Sequence, residues 1–163
     1  MARIIYVTGV SGVGKSTIGI ALAEHLDIPF LEGDDFHPKS NIQKMSSGQA
    51  LNDDDRRPWL EAINTAAKKE VSQKGAVVSC SALKEKYRTI LENNIEQVIW
   101  IHLFLEKSNI TDRMKKRTGH FMPIELLDSQ FETYEEPKSG IRIINDADTS
   151  VIVSRIVSSI EKN

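Results

Sequence analysis

The chain has 163 residues, enough for one domain with a real core, and its 40% hydrophobic and 27% charged content is that of an ordinary globular fold. A formal net charge of −2 gives no global attraction to nucleic acid or an anionic membrane, so any basic site must be local. The single cysteine, Cys80, excludes an internal disulfide and points to a reducing compartment, and no stretch approaches the roughly 20 apolar residues that span a bilayer.

Short apolar runs alternate with longer helical patterns, which predicts a parallel sheet covered by helices. Ile4 to Thr8 reads as a buried first strand. The apolar run around it is too short for a signal peptide and leads into a glycine-rich turn rather than a cleavage site. A helix is expected over Lys15–Leu26, with Ile18, Ala21, Leu22 and Leu26 on one face. Pro29–Glu32 reads as a short second strand ending at Gly33-Asp34-Asp35. From Pro38 to about Lys74 the pattern is helical but broken near Gly48–Asn52, which predicts two helices. Ala76–Cys80 and Val98–Leu105 read as the third and fourth strands. Helices are expected around Lys107–Arg117 and Pro123–Phe131, then a fifth strand at Ile141–Ile144 and a closing helix over Thr149–Ile160. No repeat or long linker divides the chain, so residues 1–163 are expected to form one domain, cytoplasmic by exclusion.

Gly9-Val10-Ser11-Gly12-Val13-Gly14-Lys15-Ser16 matches G-x-x-x-x-G-K-[ST] in full, after a buried strand and before an amphipathic helix. Glycines let backbone N–H groups turn inward around phosphate oxygens, and the helix N-terminus adds partial positive charge. Lys15 would reach the β- and γ-phosphates of ATP, and Ser16 would place its hydroxyl on Mg²⁺. The expected nucleotide site comprises Gly9, Ser11, Gly12, Val13, Gly14, Lys15, Ser16 and Thr17.

A phosphate cradle does not by itself choose among switch, motor and kinase. The chain has no N-K-x-D guanine reader and no D-x-x-G switch, and the third strand ends without the metal-holding Asp of a motor. A small kinase remains, in which a mobile lid lays arginines over ATP. Arg113 and Arg117 lie four positions apart, on one helix face, and are expected in that role, within a lid at about 113–135. The alternative is a solvated basic helix end.

On the acceptor side, Glu32-Gly33-Asp34-Asp35 lies at the carboxyl end of the second strand, the edge where open α/β sheets bind ligands. Asp34 is expected to take the proton of the attacking hydroxyl, and Glu32 to steer Mg²⁺ through water. The acidic run Asp53-Asp54-Asp55 reads first as a helix start, with any of the three as its cap. Arg56, Lys84 and Arg88 are cations left over once ATP is satisfied, and they suit an acceptor bearing a carboxylate or phosphate. His37 and His120 flank the site segments, whereas His25, His102, Trp59 and Trp100 read as structural. Cys80 reads as buried filler.

The residues so far resemble those of a gluconate kinase of the small P-loop type, related to shikimate and nucleoside monophosphate kinases. The resemblance covers nearly the whole chain. Beyond the phosphate loop it is carried by Gly33-Asp34 with His37-Pro38, Asn41–Met45, Gly48, Leu51–Arg56 and Pro58-Trp59-Leu60. It continues in Cys80–Lys84, Tyr87-Arg88, Gly119-His120-Phe121 and Gln130-Phe131-Glu132. It implies transfer of the ATP γ-phosphate to the 6-hydroxyl of gluconate, with Mg²⁺, by a homodimer with strand order 2-3-1-4-5. It also implies an acceptor-binding insert at about 36–60, with Asp34, His37, Arg56, Lys84, Arg88, His120 and Gln130 facing the sugar acid. Glu32 departs from the family pattern, which carries Asp there. The longer acid is expected to shift a water-mediated metal contact without abolishing it. A kinase of shikimate or another sugar acid is the nearest alternative, and an ATP-binding sensor a remote one.

Overall fold

The first apolar run is buried from Ile4 onward, as a strand covered on both faces must be, and forms β1 (Arg3–Thr8) in the middle of a sheet. The computed structural model describes residues 2–116 and 123–163. Beside β1 lie β2 (Phe30–Glu32), β3 (Gly75–Ser79), β4 (Val98–Phe104) and β5 (Ile141–Ile144). All pair in parallel, in the order β2-β3-β1-β4-β5. The chain first builds to one side of β1 and then to the other, so a ligand crevice opens at the carboxyl end of β1, between β3 and β4.

The crossover helices are α1 (Lys15–Leu26), α2 (Lys39–Ser46), α3 (Asp53–Val71), α4 (Glu85–Glu92), α5 (Lys107–Lys116) and α6 (Leu127–Thr133), and α7 (Thr149–Glu161) follows the last strand. Helices α1 and α7 pack together, and α3 packs on α4 and the sheet. Tyr6 shows how the layers are tied. Its ring stacks on Trp100 with centroids 4.6 Å apart, and its hydroxyl donates to the Leu91 carbonyl of α4 at 2.8 Å. Burial raises the Tyr6 phenol above its ordinary range, so that donor stays protonated.

Helix α3 starts at a capping box. The Asn52 side chain accepts from the Asp55 N–H at 2.8 Å, and the Asp55 carboxylate accepts from the Asn52 N–H at 2.9 Å. The cap is therefore Asn52 rather than one of the three aspartates. Two further details refine the sequence reading. Beyond the second strand Gly33–Phe36 winds into a 3₁₀ turn, and the region from Pro123 divides into a 3₁₀ turn at Ile124–Leu126 followed by α6. The first turn depends on Gly33, where an added Cβ would fall 2.0 Å from the Ser79 carbonyl oxygen.

Candidate active site

The loop from Gly9 to Gly14 joins β1 to α1, and α1 begins with no side-chain cap on its N-terminus. That leaves backbone N–H groups facing the crevice. Gly14 takes φ 104°, and a Cβ there would meet the Asn145 amide nitrogen at 2.5 Å. Asn145 is buried behind the loop and donates to the Val13 carbonyl at 2.8 Å. Arg113 reaches the same carbonyl at 3.4 Å and the Asn145 carbonyl at 3.2 Å. Lys15 Nζ donates to the Val10 carbonyl at 3.0 Å, folded over its own loop.

Glu32 ends β2 opposite Ser79, its register partner at the end of β3. Ser79 Oγ donates to Glu32 Oε1 at 2.6 Å, and Ser16 Oγ donates to the other oxygen, Oε2. The acid missing from the end of β3 is thus supplied from the neighbouring strand, and a buried serine aims it at the phosphate loop. The longer reach of glutamate lets one carboxylate touch both hydroxyls. This donor set is all oxygen, and it fits a hard cation that takes few protein ligands and completes its shell with phosphate and water.

A pocket opens beside this cluster, and its polar wall includes Ser11, Lys15, Asp34, His37, Arg56 and Gln130. Asp34 and His37 come from the 3₁₀ turn and its end, Arg56 from the first turns of α3, and Gln130 from α6. Gln130 Oε1 accepts from the Ser11 N–H at 3.2 Å, which joins α6 to the phosphate loop. His37 stacks on Trp59 with centroids 4.0 Å apart, and Trp59 Nε1 donates to the Gly33 carbonyl at 2.8 Å. Trp59 therefore belongs to the pocket as well as the core. Burial, with the Arg56 charge as a second cause, lowers His37 to a pKa of about 4, so the ring is neutral near pH 7. The Asn41 amide that approaches His37 Nδ1 at 3.2 Å also donates to the Asp55 carbonyl at 2.9 Å. That orientation presents Asn41 as the donor to Nδ1 and leaves the ring hydrogen on Nε2.

Arg56 is 6% exposed, yet among the described residues no carboxylate pairs with it. Its one hydrogen-bond acceptor there is the Tyr87 hydroxyl, at 3.0 Å. A buried guanidinium carries five N–H donors, so most of this one, on the wall of the pocket, has no acceptor among the described residues.

Two expected acceptor-side cations do not line the pocket. Arg88 is buried under it, donating to the carbonyls of Ala82 at 3.1 Å, Leu83 at 3.3 Å and Glu135 at 2.8 Å. Its remaining charge pairs with Glu85 at 2.8 Å. It is a brace that holds the loop after β3 to the chain leaving α6. Lys84 precedes the first residue of α4, and its side chain turns to Asp53 at 3.3 Å. Arg113 lies on the far side of the phosphate loop, in an open recess with Leu105, Asn109 and Asp148. Arg117 and His120 lie outside the described residues. Thr17 follows the loop on α1 and is exposed.

Sequence reasoning did not single out Ser79 or Asn145, and it named Tyr87 in the resemblance without giving it a role. Ser79 and Asn145 do follow or end strands at the ligand edge of the sheet, which was a usable signal. His102 is held in the sheet by Thr8 Oγ1 at 2.6 Å and the Ser139 carbonyl at 3.0 Å. Burial pushes the Cys80 thiol up to about 12, which removes it as a nucleophile.

The chain is similar to several known proteins. A family model described as shikimate kinase matches residues 11–161. The thermoresistant gluconokinase of Escherichia coli (strain K12) is 46% identical over 135 residues, covering 82% of this chain and 77% of the relative. The gluconokinase of Gluconobacter oxydans (strain 621H) is 39% identical over 159 residues, covering 95% and 89%. Among solved structures, a gluconokinase from Sinorhizobium meliloti 1021 superposes with a TM-score of 0.86 at 41% identity, covering 99% of this chain and 92% of that one.

Proposed function

The chain belongs to the gluconokinases, within the wider family that the shikimate kinase model describes, and on that premise we infer that its pocket holds gluconate by the carboxylate. The protein phosphorylates gluconate at the expense of ATP. The observation that carries the reading is Arg56, a buried cation lining the pocket with no acid paired to it among the described residues. A neutral polyol would leave that charge uncompensated, whereas a carboxylate would pair with it through parallel N–H···O bonds.

Seating the carboxylate at Arg56 sends the sugar chain along the pocket toward Asp34 and Lys15, with the 6-hydroxyl as the attacking group. Asp34 accepts the proton of that hydroxyl. Lys15 and the amides of the loop hold the phosphates, and Gln130 stands where the two substrates meet. The recess beside Arg113 is the nucleoside end, continuous with the phosphate loop through Val13. Ser16, directly, and Glu32, through water, would hold Mg²⁺, which offsets charge on the transferring phosphates when bound. Arg117 and His120 are proposed lid contacts to ATP and acceptor. We further infer a cytoplasmic homodimer with small-molecule substrates and neither nucleic acid nor membrane as partner, on the family resemblance and the lone thiol. No described helix is long and apolar enough to cross a membrane.

Arg56→Ala tests the reading. The gluconate KM should rise roughly 30- to 160-fold, as loss of a charge-assisted contact of about 2–3 kcal/mol requires, while the ATP KM stays within about twofold. An unchanged gluconate KM would remove Arg56 from the acceptor site.

A further inference from the structure

A guanidinium that must receive a substrate carboxylate has to be held still without being neutralised. An aspartate or glutamate beside Arg56 would fix its orientation, but it would cancel the charge and compete with the incoming acid. The structure offers a different partner. Tyr87, on α4, is 2% exposed and accepts from Arg56 Nη1 at 3.0 Å. A phenol oxygen orients the guanidinium and leaves its charge intact.

The phenol is itself oriented. Its one hydrogen goes to the Asp53 carboxylate, which can only accept, so its free lone pair is left for Arg56. Asp53 and Arg56 lie three positions apart, one turn along α3, and both reach the same hydroxyl from one helix face. Asp53 is in turn balanced by Lys84 at 3.3 Å and by Lys86. Desolvation by burial raises the Tyr87 phenol above its ordinary value, with the Asp53 hydrogen bond acting in the same direction, so it remains a donor to Asp53. The order of groups is therefore cation pair, carboxylate, phenol, guanidinium, pocket. Each link alternates charge or dipole, and the only positive group left facing the pocket from this chain of contacts is Arg56.

We propose that Tyr87 is a positioning residue that aims Arg56 at the acceptor carboxylate, with Asp53 and Lys84 fixing Tyr87 from behind. The inference rests on the reading that Arg56 binds the acceptor acid. It gives Lys84 a place in acceptor recognition with three groups between it and the substrate, and it explains why a lysine near the pocket turns away from it.

The test is a double-mutant cycle on steady-state kinetics with Mg-ATP and gluconate. Tyr87→Phe keeps the ring and removes both hydrogen bonds. It should raise the gluconate KM about tenfold, while kcat and the ATP KM stay within about twofold. In an Arg56→Ala background the same change should add less than about twofold, because the group it aims is gone. Asp53→Asn keeps the size and an acceptor oxygen, and should raise the gluconate KM about threefold in the same sense. Should Tyr87→Phe fail to fold, the Asp53→Asn arm of the cycle carries the test in its place. An unchanged gluconate KM in Tyr87→Phe, or the same rise with and without Arg56, would overturn the positioning role. An unchanged gluconate KM in Arg56→Ala would instead overturn the carboxylate reading beneath it, so the two failures are told apart.

Discussion

Lys15→Ala should lower the rate of phosphoryl transfer by a factor of about 10²–10³, with little effect on thermal stability. Lys15 is only partly buried and its amine rests on the Val10 carbonyl at 3.0 Å. Lys15 lies outside the hydrophobic core, so removing it opens no core cavity. Its contribution arises when charge spreads over the transferring phosphoryl oxygens, where a preorganised cation is worth about 3–4 kcal/mol. Single-turnover kinetics at saturating ATP separates this from weakened binding. A variant whose rate stays within threefold of the parent would show that the loop holds nucleotide without catalysing transfer.

Asp34→Asn should lower kcat by about 10²–10⁴ while ATP affinity changes by less than about threefold. Asparagine keeps the shape and one acceptor oxygen but is too weak a base to take the hydroxyl proton. Asp34 sits in the 3₁₀ turn that Gly33 makes possible, and Trp59 ties that turn to α3 through the Gly33 carbonyl at 2.8 Å. The substitution leaves these backbone contacts in place, so lost activity would report on chemistry rather than folding. Calorimetric ATP binding together with kcat decides the matter. If affinity for ATP collapses and kcat for bound substrate does not, Asp34 belongs to the nucleotide side.

What could be read from the sequence was whatever its own neighbours determine. The phosphate loop is contiguous, so its eight residues declare a strand–turn–helix junction without reference to the rest of the chain. The break near Gly48–Asn52 likewise announces itself, and the acidic run marks the start of α3, although the cap is Asn52 and not an aspartate. The acceptor side is different because its partners are brought together by the sheet. Glu32 and Ser79 are 47 positions apart and meet only through the β2–β3 register. Arg88 looked like a free cation because its spacing from Lys84 places both near one helix turn. Spacing cannot show that the Glu135 carbonyl, 47 positions on, returns to take up its guanidinium. Lys84 is turned aside by Asp53 in the same way, 31 positions back. Arg56 differs because the residue that meets it, Tyr87, is a phenol and not an acid. Which of three cations keeps its charge for the substrate is a property of tertiary packing, and no local pattern encodes it. Trp59 was read as core for a related reason, since a buried aromatic side chain has two faces and one of these packs on His37.

The most direct test of the account is a coupled ADP-release assay with Mg-ATP, offering gluconate beside shikimate, glucose, glucuronate and nucleoside monophosphates. The account predicts turnover on gluconate, with 6-phosphogluconate as the product and no comparable rate on the neutral sugar. Turnover confined to another acceptor, or nucleotide binding with no turnover on any of them, would contradict it.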